Sequence, residues 1–515
     1  MNILNMKRNL FFTLLPLLLG CAVLPAAAAE LDGSLTLTTQ LAGHEKAAND
    51  ASMEFNLVAG SAALSGRFSG SYKENSESGR MEYDLTETLL EFRSPHADIS
   101  AGDISPQFSD YTLSSPSNEE GAELSLKAAG FVFKPVYLLV ARHDEAQSVY
   151  ERRLYGASVS KDDLPLGFSL GAGAFRSTDD KSSLKDRSVK KPAEINTLGV
   201  KAEFKAEEVF NIFSEFAFSG SDMDTSDAAH PVFDRAFKGG LGLNWDKWNI
   251  SSRYSRCNKD FQAAGVDTVD SDQGKFSTDV AYTFSDSINA RVSESRITDG
   301  LSKSENERIK KQNSLFSLGF NFPGFPSVGF DYNAGRNKNK LLLVNDEVVD
   351  YGYNVNYGFT KFLPGLAVLA NGRISKSRDF TLRSDPAKTL TCNLGLNIPG
   401  NLLLLFNLTP NYSHTENKNL RTGNKTYYET VSLALSVPVF TEKLMLNVNG
   451  SKSRNYDNQH TVHSETKALN SQLAVSLGSS VKLALSGAAS STKDAINPTG
   501  TSSTRQYSAS TTILF

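Results

Sequence analysis

Cysteine is scarce in this chain: three in 515 residues, Cys21, Cys257 and Cys392. They are too few and too scattered for a disulfide framework, and no Cys/His spacing for zinc or haem accompanies them. Beyond the N-terminus no apolar run approaches the ~18 residues of a membrane helix. Leu402 to Phe406 is among the longest. No long stretch repeats apolar residues at i, i+3, i+4 and i+7, so amphipathic helices are not expected. An excess of basic charge is missing too. Lys and Arg number 53 against 57 Asp and Glu, which leaves no concentrated basic face for a nucleic-acid partner. The seven histidines (His44, His96, His143, His230, His414, His460, His463) fall mostly in turns or loops. His143-Asp144 and the pair His460 and His463 lack any nucleophile motif beside them. Neither an enzyme nor a cofactor is expected, and no metal site.

The N-terminus does carry a signal. Lys7 and Arg8 precede the apolar stretch Leu10 to Leu24, followed by Pro25 and Ala26-Ala-Ala-Ala29. A basic start, a short apolar centre and an A-x-A site read as a secretory signal, residues 1–29, cut after Ala29. The run Leu18-Leu-Gly-Cys21 resembles a lipoprotein box, with Leu19 a poor fit for the small-residue position; Cys21 stays open as the alternative. Without Lys7 and Arg8, 51 basic and 57 acidic residues give the mature chain a charge of about −6.

From residue 30 onward the hydropathy alternates with period two. Examples are Met53, Phe55, Leu57 and Ala59; Leu166, Phe168, Leu170 and Ala172; Tyr351, Tyr353, Val355, Tyr357 and Phe359; Leu390, Cys392, Leu394, Leu396 and Ile398; and Val431, Leu433, Leu435 and Val437. Such stretches are strands with one apolar and one polar face. Short turn signals fall near Gly60, Pro95, Gly130, Asp163, Glu207, Asp246, Asp286, Gly324, Gly365, Gly400, Glu442 and Ser479. Longer polar segments separate them: 177–192, 220–234, 257–273, 298–311, 337–349, 377–387, 414–425, 454–463 and 491–503. Twelve tight turns imply about thirteen hairpins, hence about 26 strands within a range of 22 to 26. A propeller of ~40-residue blades is the soluble alternative, but no WD or kelch signature recurs and the repeating unit is two strands rather than four.

The chain ends Tyr507-Ser-Ala-Ser-Thr-Thr-Ile513-Leu-Phe515. Tyr507, Ala509, Thr511, Ile513 and Phe515 share one face of a strand. An alternating strand with a terminal aromatic resembles the closing strand of Gram-negative outer-membrane β-barrels. That resemblance implies an assembly signal at Tyr507, Ile513 and Phe515, read by the barrel assembly machinery. The expected fold is all-β: a single antiparallel up-and-down transmembrane β-barrel over 30–515, with short periplasmic turns and long extracellular loops, in the lipid of the cell outer membrane. Only helices and closed barrels satisfy every backbone group in lipid.

The face opposite the apolar one is rich in Asn, Ser and Thr, including Asn354, Asn393, Asn407, Asn411, Asn447 and Asn449. Charges on it are sparse and mixed, among them Lys201, Glu203, Lys205, Glu215, Lys238, Arg253 and Arg291. No ring of one sign argues ion selectivity. Barrels of 16 to 18 strands already enclose an aqueous channel and those of 22 are plugged, so a wider one needs filling. Segment 104–120, ISPQFSDYTLSSPSNEE, is the internal candidate, with Phe108 and Tyr111 as anchors and Pro106 and Pro116 as stiffeners. Its Gly-Asp, then Phe, then Gly-x-x-Leu arrangement is similar to one in barrels of large surface-assembly and export proteins. The first functional expectation is a porin or translocation channel, for solutes or for export of a polymer or protein. The second is a structural sheath around a lumen-filling or periplasmic partner, as in electron-transfer conduits, although the N-terminal Cys-x-x-Cys of many such sheaths is missing. The third is a surface adhesin.

Overall fold

The computed structural model describes residues 29–42, 48–74, 81–114, 119–184, 190–227, 230–265, 269–341, 344–358, 366–380, 385–399, 406–438, 444–477, 481–496 and 501–514. The first strands are β1 (Ala29–Ala42), β2 (Ala48–Ala59), β3 (Ala62–Glu74), β4 (Met81–Arg93) and β5 (Ala97–Ile104). Two short ones follow, β6 (Gln107–Ser109) and β7 (Leu113–Ser114). Next come β8 (Glu119–Ala128), β9 (Phe131–Ala141), β10 (Arg152–Leu164), β11 (Phe168–Asp179), β12 (Glu194–Ala206), β13 (Phe210–Asp222), β14 (Val232–Trp245) and β15 (Trp248–Cys257). Then β16 (Gln273–Ser285), β17 (Ile288–Asp299), β18 (Ile309–Phe320), β19 (Ser327–Asn339), β20 (Val344–Gly358) and β21 (Ala367–Asp379). The last are β22 (Ala387–Asn397), β23 (Asn407–Asn419), β24 (Lys425–Pro438), β25 (Leu444–Asp457), β26 (His463–Leu477), β27 (Val481–Asp494) and β28 (Ser502–Leu514).

All but β6 and β7 join one 26-stranded sheet. Every pairing in it is antiparallel between chain neighbours, and β8 takes the place beside β5. β1 pairs with β2 from Ala29↔Ala59 and with β28 from Ser34↔Leu514 to Ala42↔Gln506. The ring of neighbours therefore returns on itself. An antiparallel sheet whose first strand meets its last is an up-and-down β-barrel, and closure removes the unpaired edges that lipid would not tolerate.

The tight turns lie at one end of the barrel. Left-handed backbone marks several of them, at Gly60, Asp163, Glu207, Asp246 and Gly324 (φ of 59°, 55°, 51°, 51° and 80°). The turns expected at Gly365, Gly400, Glu442 and Ser479 lie outside the described residues, as do residues 1–28, Pro116, Leu404 and Phe515. The strands flanking those four turns are where the spacing requires them.

At the opposite end the connections differ from expectation. Segments 337–349 and 414–425 are mostly strand, and strands reach into both ends of 377–387, 454–463 and 491–503: β19 runs to Asn339 and β20 resumes at Val344, and β25 runs to Asp457 with β26 resuming at His463. Polar residues there continue the ladder past the apolar band, as in Lys310↔Lys338 and Asn337↔Asp346. Charge alone does not end a strand, because a strand above the membrane meets water on both faces. Longer connections are 142–151, 180–193, 223–231, 258–272 and 300–308, beside β9 to β18. They pack on one another. The Tyr150 hydroxyl donates to the Lys190 carbonyl (3.1 Å), and the Thr225 N–H to the Pro192 carbonyl (3.0 Å).

Large apolar side chains cover the outer face and stay exposed: Phe133, Leu170, Val200, Phe218, Phe330, Leu394 and Leu433. Aromatic pairs border this band on the turn side, where the ring of Trp248 lies 4.4 Å from that of Tyr282 and the ring of Phe168 4.8 Å from that of Phe204. At mid-strand the Tyr332 and Tyr351 rings lie 5.3 Å apart. Outward apolar residues with an aromatic border define a surface for lipid.

Candidate functional site

The chain leaves the wall after β5. Gly102 (φ 110°) sits where an added Cβ would lie 2.0 Å from the Thr88 carbonyl oxygen, so only glycine lets β5 pass β4 this closely. One residue on, Asp103 Oδ2 accepts the Thr88 N–H (2.5 Å) and the Thr88 hydroxyl (3.1 Å). The side chain thus takes a backbone donor that a continuing β5 would have paired. From here residues 105–114 turn into the lumen as the β6–β7 hairpin.

Phe108 is the hairpin's apolar anchor. It is 8% exposed, with its ring centre 5.9 Å from that of Phe175 on β11. Ile104, Leu113, Val136, Leu138, Leu154 and Ile195 complete this buried cluster on the inner side of β8 to β12. The Lys201 ammonium donates to the Phe108 carbonyl (3.1 Å) and stands 4.6 Å from its ring centre. Across the hairpin, the Tyr111 N–H donates to Glu215 Oε1 (3.0 Å), and Lys238 pairs with Asp110. Burial pushes the Tyr111 phenol up to about 12, so it is neutral. Lys201, Glu215 and Lys238, three of the mixed lumen charges in the sequence, all hold this hairpin.

The wall is cut away beneath it. A Cβ on Gly199 would lie 2.3 Å from Thr112 Cγ2, and one on Gly173 3.0 Å from the Phe108 ring. Inward glycines on adjacent strands form the seat.

A second inward segment, 258–265, closes over the first. It lies within 257–273, expected to be a solvated outer loop. Phe261 is 1% exposed and meets Tyr111 edge-on at 5.9 Å. The Ser114 N–H donates to the Gly265 carbonyl (3.0 Å), the Ala264 N–H to Thr197 Oγ1 (2.8 Å) and the Gln262 N–H to Ser219 Oγ (3.2 Å). The only sequence signal was the apolar and small run Phe261-Gln-Ala-Ala-Gly265 inside a polar segment.

Among the described residues the far arc of the lumen is mostly uncharged, with Lys482 on β27 toward the turn end of the same inner face. In register, Asn407, Ser436, Asn447, Gln472, Ser486 and Ser508 form one continuous row across β23 to β28. The next row is Thr409, Ala434, Asn449, Asn470, Ala488 and Gln506. These residues line one concave surface, and Asn407, Asn449, Asn470, Gln472 and Gln506 are exposed.

On the closing strand, Tyr507 and Ile513 face outward and are 56% and 40% exposed. They sit opposite Leu41 and Leu35 of β1. Among the described residues no group of three His, Cys, Asp or Glu is arranged to hold a metal. Asp144, next to His143, caps its own turn through the Ala146 and Gln147 N–H groups.

No protein-family model matches the chain, and no curated protein does. Solved structures do. The translocation pore of the P pilus usher PapC is 12% identical over 95% of this chain and 99% of its own, at a TM-score of 0.31. OccAB3 of Acinetobacter baumannii is 14% identical over 60% of this chain and 94% of its own (0.33). The siderophore receptor PirA of the same organism is 9% identical over 95% and 81% (0.43). The closed sheet and its apolar outer band make this chain an up-and-down β-barrel of the outer-membrane type.

Proposed function

We infer that the protein is an outer-membrane channel or translocation barrel, narrowed from within by the 105–114 hairpin. The observation that carries this reading is the amide- and hydroxyl-rich arc on β23 to β28. It stays exposed while the opposite inner wall is occupied by the two inward segments. Amide and hydroxyl side chains exchange hydrogen bonds with water or a polar solute without selecting a sign of charge. The arc therefore suits uncharged or mixed hydrophilic cargo.

Size extends the argument. A round ring of 26 strands spaced ~4.8 Å apart and tilted ~40° measures roughly 50 Å across its backbone. The two inward segments hold roughly twenty residues and cover the β8 to β15 sector. The remaining space favours a large passenger, such as an exported polymer or protein, over a small solute. It equally suits a second reading, a sheath around a resident partner. Planar-bilayer recordings on the purified chain, with and without residues 106–114, test the first. Weakly ion-selective conductance that rises on deletion is expected. No conductance from either form, with a second protein co-purifying in stoichiometric amount, would favour the sheath.

A further inference from the structure

Four lysines stand side by side on the outer face. Lys376 on β21 is directly opposite Lys388 on β22, which is opposite Lys418 on β23, which is opposite Lys425 on β24. Directly opposed residues in an antiparallel sheet have their Cβ atoms about 5 Å apart, and like charges in that relation repel. Only Lys425 has a carboxylate, Glu416 at 2.9 Å. Among the described residues Lys376, Lys388 and Lys418 make no ion pair, while exposed Arg378 on the same face of β21 stands directly opposite Glu347 of β20.

The row's position is fixed by register. Lys376 shares a face with Ile374, Lys388 with Leu390 and Leu394, and Lys425 with Val431 and Leu433. Leu394, Val431 and Leu433 are exposed on the outer surface at 52%, 56% and 46%. On β21 and β22 the lysines are the next outward residues beyond Ile374 and Leu390, at the loop end where the apolar band stops; on β23 and β24 Glu416, His414, Tyr427 and Glu429 stand between the row and that band. From Leu390 to Leu396 the outward residues are all apolar apart from Cys392.

We propose that this row binds the phosphate headgroup of an anionic membrane lipid. The occupant must be anionic, to relieve three adjacent unpaired ammonium groups. It must also be amphiphilic, because the same face continues directly into Ile374, Leu390 and Leu394. A phosphorylated lipid of the loop-side leaflet has both parts in the required order. The inference rests on the barrel spanning a bilayer and not on its being a channel.

The test uses the full barrel in a non-ionic detergent and bisphosphorylated lipid A as probe, read by native mass spectrometry. Monophosphoryl lipid A, phosphatidylethanolamine and inorganic phosphate are the comparison probes. Removing one basic residue at an anionic surface weakens binding roughly fivefold, so K376Q/K388Q/K418Q is expected to lose on the order of a hundredfold. K376R/K388R/K418R retains binding, and heat-modifiable migration verifies that both variants are folded. Bisphosphorylated lipid A should bind more tightly than the monophosphoryl form, and phosphatidylethanolamine least. Equal lipid A affinity for the glutamine variant and the unaltered chain would overturn the proposal. Inorganic phosphate binding as tightly as lipid A, with the same lysine dependence, would overturn the lipid as its source.

Discussion

Replacing Phe108 by alanine should release the inner hairpin. Phe108 is 8% exposed and packed on Phe175, and Phe→Ala at such sites costs ~3–5 kcal/mol. Its ring also carries the Lys201 ammonium, a contact worth about 0.5–1 kcal/mol where solvent reaches it. The barrel wall does not need the hairpin to close, so the loss falls on docking alone. A loss of ~3 kcal/mol lowers the docked-to-undocked ratio by roughly 150-fold. The Lys238–Asp110 pair is partly exposed, 27% and 51%, so Lys238→Gln should cost under ~1 kcal/mol. Gly199→Val reaches the same end by a wedge. Its Cβ would lie 2.3 Å from Thr112 Cγ2, and restoring ordinary carbon contact moves the hairpin by roughly 1 Å. Single-channel recording should show higher mean conductance for Phe108→Ala and Gly199→Val and little change for Lys238→Gln. Wild-type conductance in both of the first two would refute the hairpin as a constriction. An effect of Lys238→Gln as large as that of Phe108→Ala would refute the ranking of apolar over ionic docking.

Other consequences are open to measurement. The mature protein should begin at Glu30, fractionate with the outer membrane and migrate heat-modifiably on gels; recovery as a soluble periplasmic protein would end the barrel reading. Phe515→Asp should impair assembly far more than an equivalent loop change, and equal surface levels would count against a terminal assembly signal at Tyr507, Ile513 and Phe515. On β24, Leu435→Arg should destabilise by ~2–4 kcal/mol, as for a lipid-facing charge near the midplane. Its neighbour Ser436→Arg should be mild, because Ser436 faces the lumen beside Asn447; refolding titrations that give equal losses would mean the register is shifted. In the β11–β12 connection, the Ser182 hydroxyl and N–H hold the Asp180 carboxyl below its usual range. The order this lends the loop is complete above pH ~4 and lost as pH falls below it. The protection of residues 181–184 against hydrogen exchange, taken relative to the intrinsic rate at each pH, should therefore be lower at pH 3 than at pH 5, and equal protection would refute the contact.

How much of this was legible in sequence depends on which force writes the pattern. Lipid outside and water inside impose period two on wall strands that face open lumen, so β11, β20, β22 and β24 could be read directly. The turns at Asp163, Glu207 and Asp246 were legible because polar residues that tolerate left-handed backbone punctuate the apolar alternation. The loop-side strand ends were not. Above the membrane both faces meet water, so a strand such as β25 near Arg454 and Asp457 has the composition of a loop. The second inward segment was hidden for a different reason. Its burial depends on Tyr111 and Ser219, 150 and 43 residues away from their partners Phe261 and Gln262. Gly173 and Gly199 do record the hairpin's seat, but as missing side chains, which hydropathy does not register.

The distribution of lumen charge then bears on the channel reading itself. Lys201, Glu215 and Lys238 look, in sequence, like a thin mixed lining of the pore. Each instead holds the hairpin: Lys201 through the Phe108 carbonyl and ring, Glu215 through the Tyr111 N–H, and Lys238 through Asp110. Lys238 is neutralised by Asp110, and Lys201 and Glu215 are partly withdrawn from water by the backbone groups they bond, so their fields on a passing ion are weakened. The inner rows of β23 to β28 supply amides and hydroxyls in their place. An open lumen bounded by paired charges on one side and neutral dipoles on the other has little basis for choosing between cations and anions. Undocking the hairpin should change that. It would expose Lys201 and Lys238 against Glu215 and carry Asp110 away. The Phe108→Ala channel should therefore conduct more and also shift its reversal potential toward anion preference in a salt gradient. A rise in conductance with no shift would place the conducting path away from the hairpin's seat.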